Sequence, residues 1–391
     1  MKKLICFLLI TCLFCGTVVF ASEGEAVKTA QTPQEAVGGV TVTAKSAVLM
    51  DGITGKILYE KNPHDKMAPA SVTKIMTMLL VMEAIENGSL KMTDMVTASA
   101  NAVSMGGTQI YLEDGEQMTV HDLMKSTAVA SANDAAMALA EHVGGSEEGF
   151  VMMMNNKAAE LGMKDTTFIN PTGLDAKGHV TSAYDIALMS KALLQKKGIT
   201  DFTKIWMDSV RDGKFTLANT NKLVRFYKGC TGLKTGTTDG AGSCVSATAT
   251  RGDMDLISVV MGCASGKERF NDARRLLDYG FSHFVMYKTA ISKNALKPVK
   301  VIGGVKPTVT VDTEVLDKII IPAGKEKKVE ENVTIVPDLQ APVVKGQKLG
   351  EVALCIDGET LATFPIKAHE SIDKMSFVNA FKMLMMKLWC I

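Results

Sequence analysis

The sequence predicts an α+β protein with two packed domains, and two changes along the chain indicate it. Up to about residue 290, short strand-like runs lie on either side of a long helical section, so we expect the first and last strands to share one sheet. After residue 290, β-branched runs broken by Pro and Gly indicate a small all-β domain. Two domains also suit a chain of 391 residues, because single cores stop growing at about 250–300 residues.

The first residues predict export. Residues 1–3 carry two lysines, residues 4–20 form an uncharged apolar run, and the small Ala21 fits a signal-peptidase site. We therefore predict a signal peptide over 1–21 and a location at the extracytoplasmic face of the cell membrane or in the cell wall. A retained transmembrane anchor is the alternative, although a run of about 17 residues is marginal for spanning. Small, polar residues over 22–43 predict a mobile leader.

Composition argues against several kinds of site. Lysine plus arginine (43) balance aspartate plus glutamate (42), so the net charge predicts no nucleic-acid partner. Five of the eight cysteines lie beyond residue 21, and an odd, scattered set is not a disulfide framework. If 239–242 is a hairpin turn, Cys244 lies opposite Thr237, too far from Cys230 for a disulfide. Because C-x-x-C and H-E-x-x-H do not occur, no metal site is expected.

Hydrophobic periodicity predicts the elements of both domains. The first domain, assigned to 44–290, begins with a hairpin of strands 47–50 and 56–59 around a glycine turn. Helical spacing recurs at 71–87, 119–143, 150–161, 183–197 and 269–284, and strands are expected at 232–238, 244–250 and 256–261. The second domain, assigned to 291–370, has candidate strands at 299–302, 308–311, 318–321, 333–336 and 352–356.

Ser71 and Lys74 form the first of three motifs that indicate nucleophilic catalysis. They lie three residues apart at the start of a predicted helix, and hence on one face of it. A lysine whose pKa is lowered can take the proton of a neighbouring serine hydroxyl and so activate it as a nucleophile. Taken alone, S-x-x-K is more typical of a helix cap followed by a solvated lysine.

The other two motifs strengthen this interpretation. Ser131-Ala132-Asn133 lies in an alanine-rich stretch, where its polar side chains need partners unless they form a cap and turn between two helices. Lys234-Thr235-Gly236 opens a predicted strand and offers a positive charge, a hydroxyl for a carboxylate and space for a ligand backbone. Together, S-x-x-K, S-x-N and K-T-G in this order predict a serine enzyme that forms an acyl intermediate.

The motifs resemble those of the low-molecular-mass penicillin-binding proteins, specifically the D-Ala-D-Ala carboxypeptidases. The similarity covers about 45–290, continues into the β-domain and terminal helix, and includes the segments 68–77, 170–174, 232–236, 241–242 and 257–262. It implies a penicillin-binding/β-lactamase-like domain, an antiparallel sheet flanked by helices with a helical subdomain. It also implies removal of the terminal D-alanine from peptidoglycan stem pentapeptides, without a cofactor. Ala132 departs from the glycine usual in the family, and its methyl group should be tolerated.

The resemblance also implies roles for individual residues. Ser71 attacks the carbonyl between two D-alanines, with Lys74 as its general base, and β-lactam antibiotics acylate the same serine. Ser131 and Lys234 carry the proton to the leaving amine, while Asn133 positions the peptide. The backbone N–H groups of Ser71 and Thr237 form the oxyanion hole. The substrate-binding residues are Lys234, Thr235, Gly236, Thr237 and Arg269. The alternative for Arg269 is an arginine that is solvated on its helix. His179 matches a histidine of the family, and we expect it to stabilise its loop and not to take part in catalysis.

Residues 371–391 predict an amphipathic helix that anchors the protein at a membrane surface. At 100° per residue one narrow apolar stripe contains Phe377, Phe381, Leu384, Leu388 and Ile391. Lys382 and Lys387 flank this stripe, and Trp389 is suited to a membrane interface. The alternative is a helix that docks on its own β-domain, and the resemblance favours membrane attachment.

Other functions stay open to different degrees. A D,D-endopeptidase of the same family is not distinguished from a carboxypeptidase by these residues. A class A β-lactamase needs a glutamate in the loop between the second and third motifs, and 165–174 contains none. A binding module that has lost catalysis is disfavoured, because all three motifs are intact.

Overall fold

A computed structural model of the protein describes residues 39–289, 291 and 296–389. The predicted signal peptide, residues 22–38 of the predicted leader, Cys390 and Ile391 lie outside the described residues. The side chains of Lys387, Leu388 and Trp389 are also not described.

The first part of the described chain contains ten strands and nine helices. The strands are β1 (Ser46–Asp51), β2 (Ile57–Lys61), β3 (Met95–Thr97), β4 (Gln117–Thr119), β5 (Met207–Val210), β6 (Phe215–Ala218), β7 (Cys230–Thr238), β8 (Gly242–Arg251), β9 (Met254–Cys263) and β10 (Phe284–Lys288). The helices are α1 (Lys74–Glu86), α2 (Ala100–Val103), α3 (Val120–Val129), α4 (Asn133–Gly144), α5 (Glu147–Glu160), α6 (Ala183–Leu194), α7 (Ile199–Thr203), α8 (Leu223–Phe226) and α9 (Gly266–His283).

A five-stranded antiparallel sheet lies at the centre of this part, in the order β2-β1-β9-β8-β7. Because β1 pairs with β9, the first and last strands share one sheet, as predicted. Alternate side chains of β1 enter two different cores. Val48 packs with the helical core that includes α1 and α6, whereas Leu49 packs with Leu276 of α9. The sheet is therefore covered on both faces, and its edge strand β7 lies beside the start of α1.

Two details of the predicted elements are wrong. The helical stretch 119–143 is two helices, because Ser131 between α3 and α4 has a left-handed backbone conformation (φ 66°) that cannot continue a right-handed helix. In the β7–β8 hairpin, Thr238 pairs with Gly242, so Cys244 lies opposite Gly236 and not Thr237. The inference drawn from that register holds, since Cys230 and Cys244 are both free thiols.

The second part is all-β up to its last helix, as predicted. It contains β11 (Val299–Ile302), β12 (Thr308–Val309), β13 (Val311–Thr313), β14 (Lys318–Pro322), β15 (Val329–Ile335), β16 (Asp338–Gln340), β17 (Lys348–Ile356), β18 (Glu359–Ala368) and the helix α10 (Phe377–Trp389). Four strands form a sheet in the order β13-β18-β17-β15, and three form another in the order β12-β11-β16. The strand β14 belongs to neither of these sheets, because it pairs along its whole length with β10 of the first part.

A buried carboxylate fixes the first strand to α9. Asp272 is fully buried, and its Oδ2 accepts hydrogen bonds from the backbone N–H groups of Thr43 and Ala44, each at 2.8 Å. The Thr43 hydroxyl donates to the same oxygen at 2.8 Å. These bonds hold the entry to β1 in place, because a buried N–H without an acceptor is costly.

We expect Asp272→Ala to lower the free energy of unfolding by about 2 kcal/mol, since it removes the acceptor of two backbone N–H groups. Urea unfolding followed by circular dichroism measures this change. Asp253→Ala is the matched control: this exposed carboxylate pairs with Lys318 at 2.6 Å, and exposed pairs stabilise little. Equal losses in the two variants would contradict the role assigned to Asp272.

Candidate active site

Ser71 and Lys74 meet through a tight turn at the start of α1. Residues Ala70–Thr73 form a 3-10 helix, and α1 begins only at Lys74. In a 3-10 helix, residues three apart are eclipsed, so the lysine reaches straight to the serine. The distance from Lys74 Nζ to Ser71 Oγ is 3.0 Å. The motif thus brings its two residues together through a turn tighter than the predicted α-helix.

Lys74 is fully buried and has three partners. Besides Ser71, its Nζ contacts Asn133 Oδ1 at 2.5 Å and the carbonyl oxygen of Thr172 at 2.7 Å. Burial, reinforced by the nearby positive charge of Lys234, holds the pKa of Lys74 well below its ordinary value, although Asp134 opposes the shift. A neutral amine beside a serine hydroxyl is the arrangement needed to remove the hydroxyl proton.

Ser131 faces Lys234 in a second buried pair. Lys234 Nζ donates to Ser131 Oγ at 2.8 Å and to the carbonyl oxygen of Thr235 at 2.9 Å. Burial, with the positive charge of Arg269 nearby, lowers the pKa of Lys234 to about 7. The left-handed conformation of Ser131 lies at the break between α3 and α4, so this break is part of the site.

Asn133 and Asp134 tie the start of α4 to the loop that precedes α3 in sequence. Asn133 Nδ2 donates to the carbonyl oxygen of Gly106 at 2.6 Å, which leaves Oδ1 to face Lys74. The carboxylate of Asp134 accepts from the backbone N–H groups of Ile110 and Leu112, each at 3.1 Å. The orientation of the Asn133 amide is therefore fixed by partners on both of its ends.

The edge strand β7 runs along the serine. A Cβ atom added to Gly236 would lie 2.9 Å from the Ser71 backbone nitrogen and 3.0 Å from the Pro69 carbonyl oxygen, so only glycine allows this close approach. On the same strand, Thr235 Oγ1 donates to Thr220 Oγ1 at 2.7 Å. The strand thus brings its backbone against Ser71, and of its threonines Thr235 is buried whereas Thr237 is exposed.

Arg269 reaches β7 from the first turns of α9. Its guanidinium donates to Thr237 Oγ1 at 2.7 Å and to the Gly236 carbonyl oxygen at 2.9 Å. It is therefore not the solvated helix arginine that was the alternative. Every residue of the predicted site accordingly lies around Ser71 or along β7.

Some neighbours of the site were not predicted. The carbonyl oxygen of Thr172 accepts a hydrogen bond from Lys74, and the hydroxyl of Thr220 accepts one from Thr235. The carbonyl oxygen of Gly106 accepts one from Asn133. For Thr172, the one signal in the sequence is that the Asn170–Leu174 segment resembles the family. The sequence around Thr220 carries no such signal. Among the residues described, no group of three or more His, Cys, Asp or Glu side chains could hold a metal ion.

His179 supports the turn before Ser71 from behind. Its Nδ1 accepts from the Ile169 backbone N–H at 3.1 Å, so Nε2 carries the proton and donates to Thr73 Oγ1 at 2.9 Å. The Thr73 hydroxyl in turn donates to the Ala70 carbonyl oxygen at 2.8 Å. Burial lowers the pKa of His179 to about 4, despite the opposing charge of Asp175. No contact joins this ring to Ser71, in keeping with a structural role.

Comparison with known proteins agrees with this geometry. The D-alanyl-D-alanine carboxypeptidase family matches residues 27–265, and the C-terminal domain of penicillin-binding protein 5 matches residues 286–374. The chain is 45% identical over 346 residues to the D-alanyl-D-alanine carboxypeptidase DacF of Bacillus subtilis, covering 88% of this chain and 89% of the relative.

Solved structures also match this chain. Penicillin-binding protein 5 of Haemophilus influenzae superposes with a TM-score of 0.80 at 33% identity, over 87% of this chain and 100% of its own. Penicillin-binding protein D2 of Listeria monocytogenes, solved in an ampicillin-bound form, has a TM-score of 0.57 at 33% identity and covers 62% of this chain and 99% of its own. By sequence and by structure, the chain belongs to the D-alanyl-D-alanine carboxypeptidase family of low-molecular-mass penicillin-binding proteins.

Proposed function

We propose that Ser71 forms the acyl-enzyme through which this serine-type D-alanyl-D-alanine carboxypeptidase removes the terminal D-alanine of a peptidoglycan stem peptide. One observation carries the proposal: Lys74 Nζ has two acceptors that cannot donate to it. These are the Thr172 carbonyl oxygen and Asn133 Oδ1. A neutral amine has two N–H bonds and one lone pair, so the two acceptors take the N–H bonds and the lone pair faces the Ser71 hydroxyl.

Acylation then needs stabilisation of the developing negative charge. The backbone N–H groups of Ser71 and Thr237 are the proposed oxyanion hole, and the close packing of Gly236 against Ser71 supports this assignment. Two fixed N–H donors stabilise an oxyanion more than a neutral carbonyl, and that difference lowers the barrier.

Ser131 and Lys234 are proposed to handle the second proton transfer. The amine that leaves with D-alanine must gain a proton, and Ser131 can supply one while Lys234 replenishes it. The short contact between them and the pKa of about 7 for Lys234 favour such a relay near neutral pH. Asn133 is proposed to orient the peptide, and the same pair to assist the water that frees the acyl-enzyme.

The substrate's terminal carboxylate is proposed to lie at Thr235, Thr237 and Arg269. A guanidinium and two hydroxyls at the edge of β7 offer charge-assisted hydrogen bonds to a carboxylate. A β-lactam also carries a carboxylate beside its reactive amide, so it should occupy the same place and acylate Ser71. Cleavage of cross-linked peptides by a D,D-endopeptidase reaction remains the alternative activity.

We also propose that the protein is exported and that α10 binds a membrane surface. Phe377, Phe381 and Leu384 are 85%, 54% and 57% exposed, so this apolar side of α10 has little contact with the β-domain. None of the helices in the described ranges is long and apolar enough to cross a membrane. The proposed division keeps the catalytic domain at 44–290, but the anchor begins later than the predicted residue 371. The helix α10 starts at Phe377, and Ile372 is buried in the β-domain, where it pairs with Val343.

Intact-mass spectrometry tests the nucleophile. Incubation with penicillin should add the mass of the drug to the full chain, and Ser71→Ala should abolish this shift. The same variant should no longer remove one alanine from a pentapeptide. Ser89→Ala, a serine remote from the site, is the control and should react as wild type. Covalent labelling that persists in a folded Ser71→Ala protein would overturn the assignment.

The acylation rate should fall as the pH is lowered. Lys74 has a lowered pKa, so it is neutral above that pKa and takes up a proton as the pH falls through it, after which it can no longer accept the Ser71 proton. Lys234, whose pKa is about 7, is proposed to act as a proton donor, so its loss of a proton belongs to the alkaline limb of the profile. Stopped-flow acylation by a chromogenic β-lactam measures the profile.

Lys74→Arg should be inactive at every pH, because a guanidinium does not release its proton. A rate that stayed constant down to the pH of unfolding, or an active arginine variant, would contradict the role of Lys74.

Truncation after Ser376, just before α10, should release a soluble enzyme with full activity on small peptides, because Ile372 and Met375 still complete the β-domain. Burial of large apolar side chains at an interface contributes about 1.5–3 kcal/mol each before ordering costs, so Phe377→Asp with Phe381→Asp should mimic truncation. Lys382→Asp is the control, and it should weaken binding to anionic vesicles only at low salt. Liposome flotation measures the binding. If the truncated protein still floats with vesicles, α10 is not the anchor.

A further inference from the structure

A cavity of about 400 Å³ lies between α8 and α9, next to the catalytic strand. Four cations and one exposed aromatic ring are among the residues that line it: Lys222, Lys267, Arg269, Arg274 and Phe226. Its volume is within the range of small-molecule pockets, about 300–1,000 Å³. The cavity is therefore large enough for an amino-acid side chain and its polar end group.

Two of the residues that line the cavity also contact the catalytic site. Thr220 lines it and also accepts the hydrogen bond of Thr235, and Arg269 lines it while donating to Thr237. Both contacts lie where the substrate's terminal carboxylate is proposed to bind. The residue after the scissile bond would therefore be the part of a substrate nearest to the cavity.

The charges around the cavity are unbalanced. No carboxylate is among its lining residues, and no ion pair within the described part of the chain includes Lys222, Lys267 or Arg274. In addition, the Nε of Arg269 is buried without a hydrogen-bond partner. A buried donor without an acceptor is costly, so an acceptor that reached the Nε of Arg269 would be stabilised there.

We propose that this cavity is a subsite for an acidic side chain on the leaving residue, so that the enzyme also cleaves peptides in which a D-amino acid with a second carboxylate replaces the terminal D-alanine. This inference rests on the proposed function of Ser71. The broken bond is the same amide: the acyl part becomes the Ser71 ester, and the leaving amine takes the proton. Water then hydrolyses the ester.

A matched set of substrates tests the subsite. The full chain is assayed with diacetyl-L-Lys-D-Ala-D-Ala and with the same peptide ending in D-Glu or in D-Gln. D-Glu and D-Gln have nearly the same shape and differ in charge, so their ratio of kcat/KM isolates the charge. We expect a ratio of about tenfold in favour of D-Glu, which corresponds to about 1.4 kcal/mol.

Charge reversal locates the effect. Lys222→Glu and Arg274→Glu should each bring the D-Glu to D-Gln ratio close to one. Arg225→Glu is the matched control, because Arg225 is exposed in α8, which directly follows Lys222, but does not line the cavity. It should keep the wild-type ratio.

Three results would overturn the inference. A wild-type ratio of kcat/KM near one would show that the charge of the side chain is not recognised. If Arg225→Glu lowered the ratio as much as Lys222→Glu and Arg274→Glu, the effect would come from the general electrostatic field of the protein and not from a subsite. Both leave the proposed function of Ser71 intact, since cleavage of the D-Ala-D-Ala peptide is measured separately. Failure to cleave that peptide would overturn the proposed function and this inference with it.

Discussion

The site depends on keeping one amine out of water. In the proposed reaction Lys74 acts on Ser71 only while it is neutral, and an exposed lysine is protonated at physiological pH. Burial costs the charged form far more than the neutral one, so the fold itself sets the protonation state. The neighbouring charge of Lys234 acts in the same direction, and the two lysines therefore lower the proton affinity of the site jointly.

Much of the surrounding structure serves this dehydration. The Asn170–Leu174 loop covers Lys74 from one side through the Thr172 carbonyl, while the start of α4 covers it from another through Asn133. Each of these segments is fixed by its own bonds: Asn170 Oδ1 accepts from the Gly173 backbone N–H at 2.7 Å, and Asp134 accepts from the loop at Ile110. Catalytic groups held by such partners need little rearrangement when substrate binds.

The sequence predicted the contacts that follow from local order or from the three motifs, and it missed contacts that distant loops make with those motifs. The pairing of Ser71 with Lys74 is local, so S-x-x-K was enough to predict it. The contact of Lys74 with Thr172 and that of Thr235 with Thr220 depend on how distant loops fold back, and a spacing rule contains no such information. The break at Ser131 agrees with the alternative of a cap and turn between two helices, but the periodic alanine-rich stretch gives no sign of its left-handed backbone.

The pairing of β10 with β14 has a consequence for how this enzyme could be divided. Penicillin-binding protein D2 of Listeria monocytogenes matches only 62% of this chain, yet 99% of its own length is covered, so a protein of this family can exist without the whole of the length found here. In this chain, however, β10 is hydrogen-bonded along Phe284–Lys288 to a strand of the β-domain. A catalytic fragment that kept β10 would carry an unpaired β-edge open to association with other chains, whereas a fragment ending at His283 would not. The natural point of separation is therefore set by backbone hydrogen bonding, and it lies at the end of α9, ahead of β10.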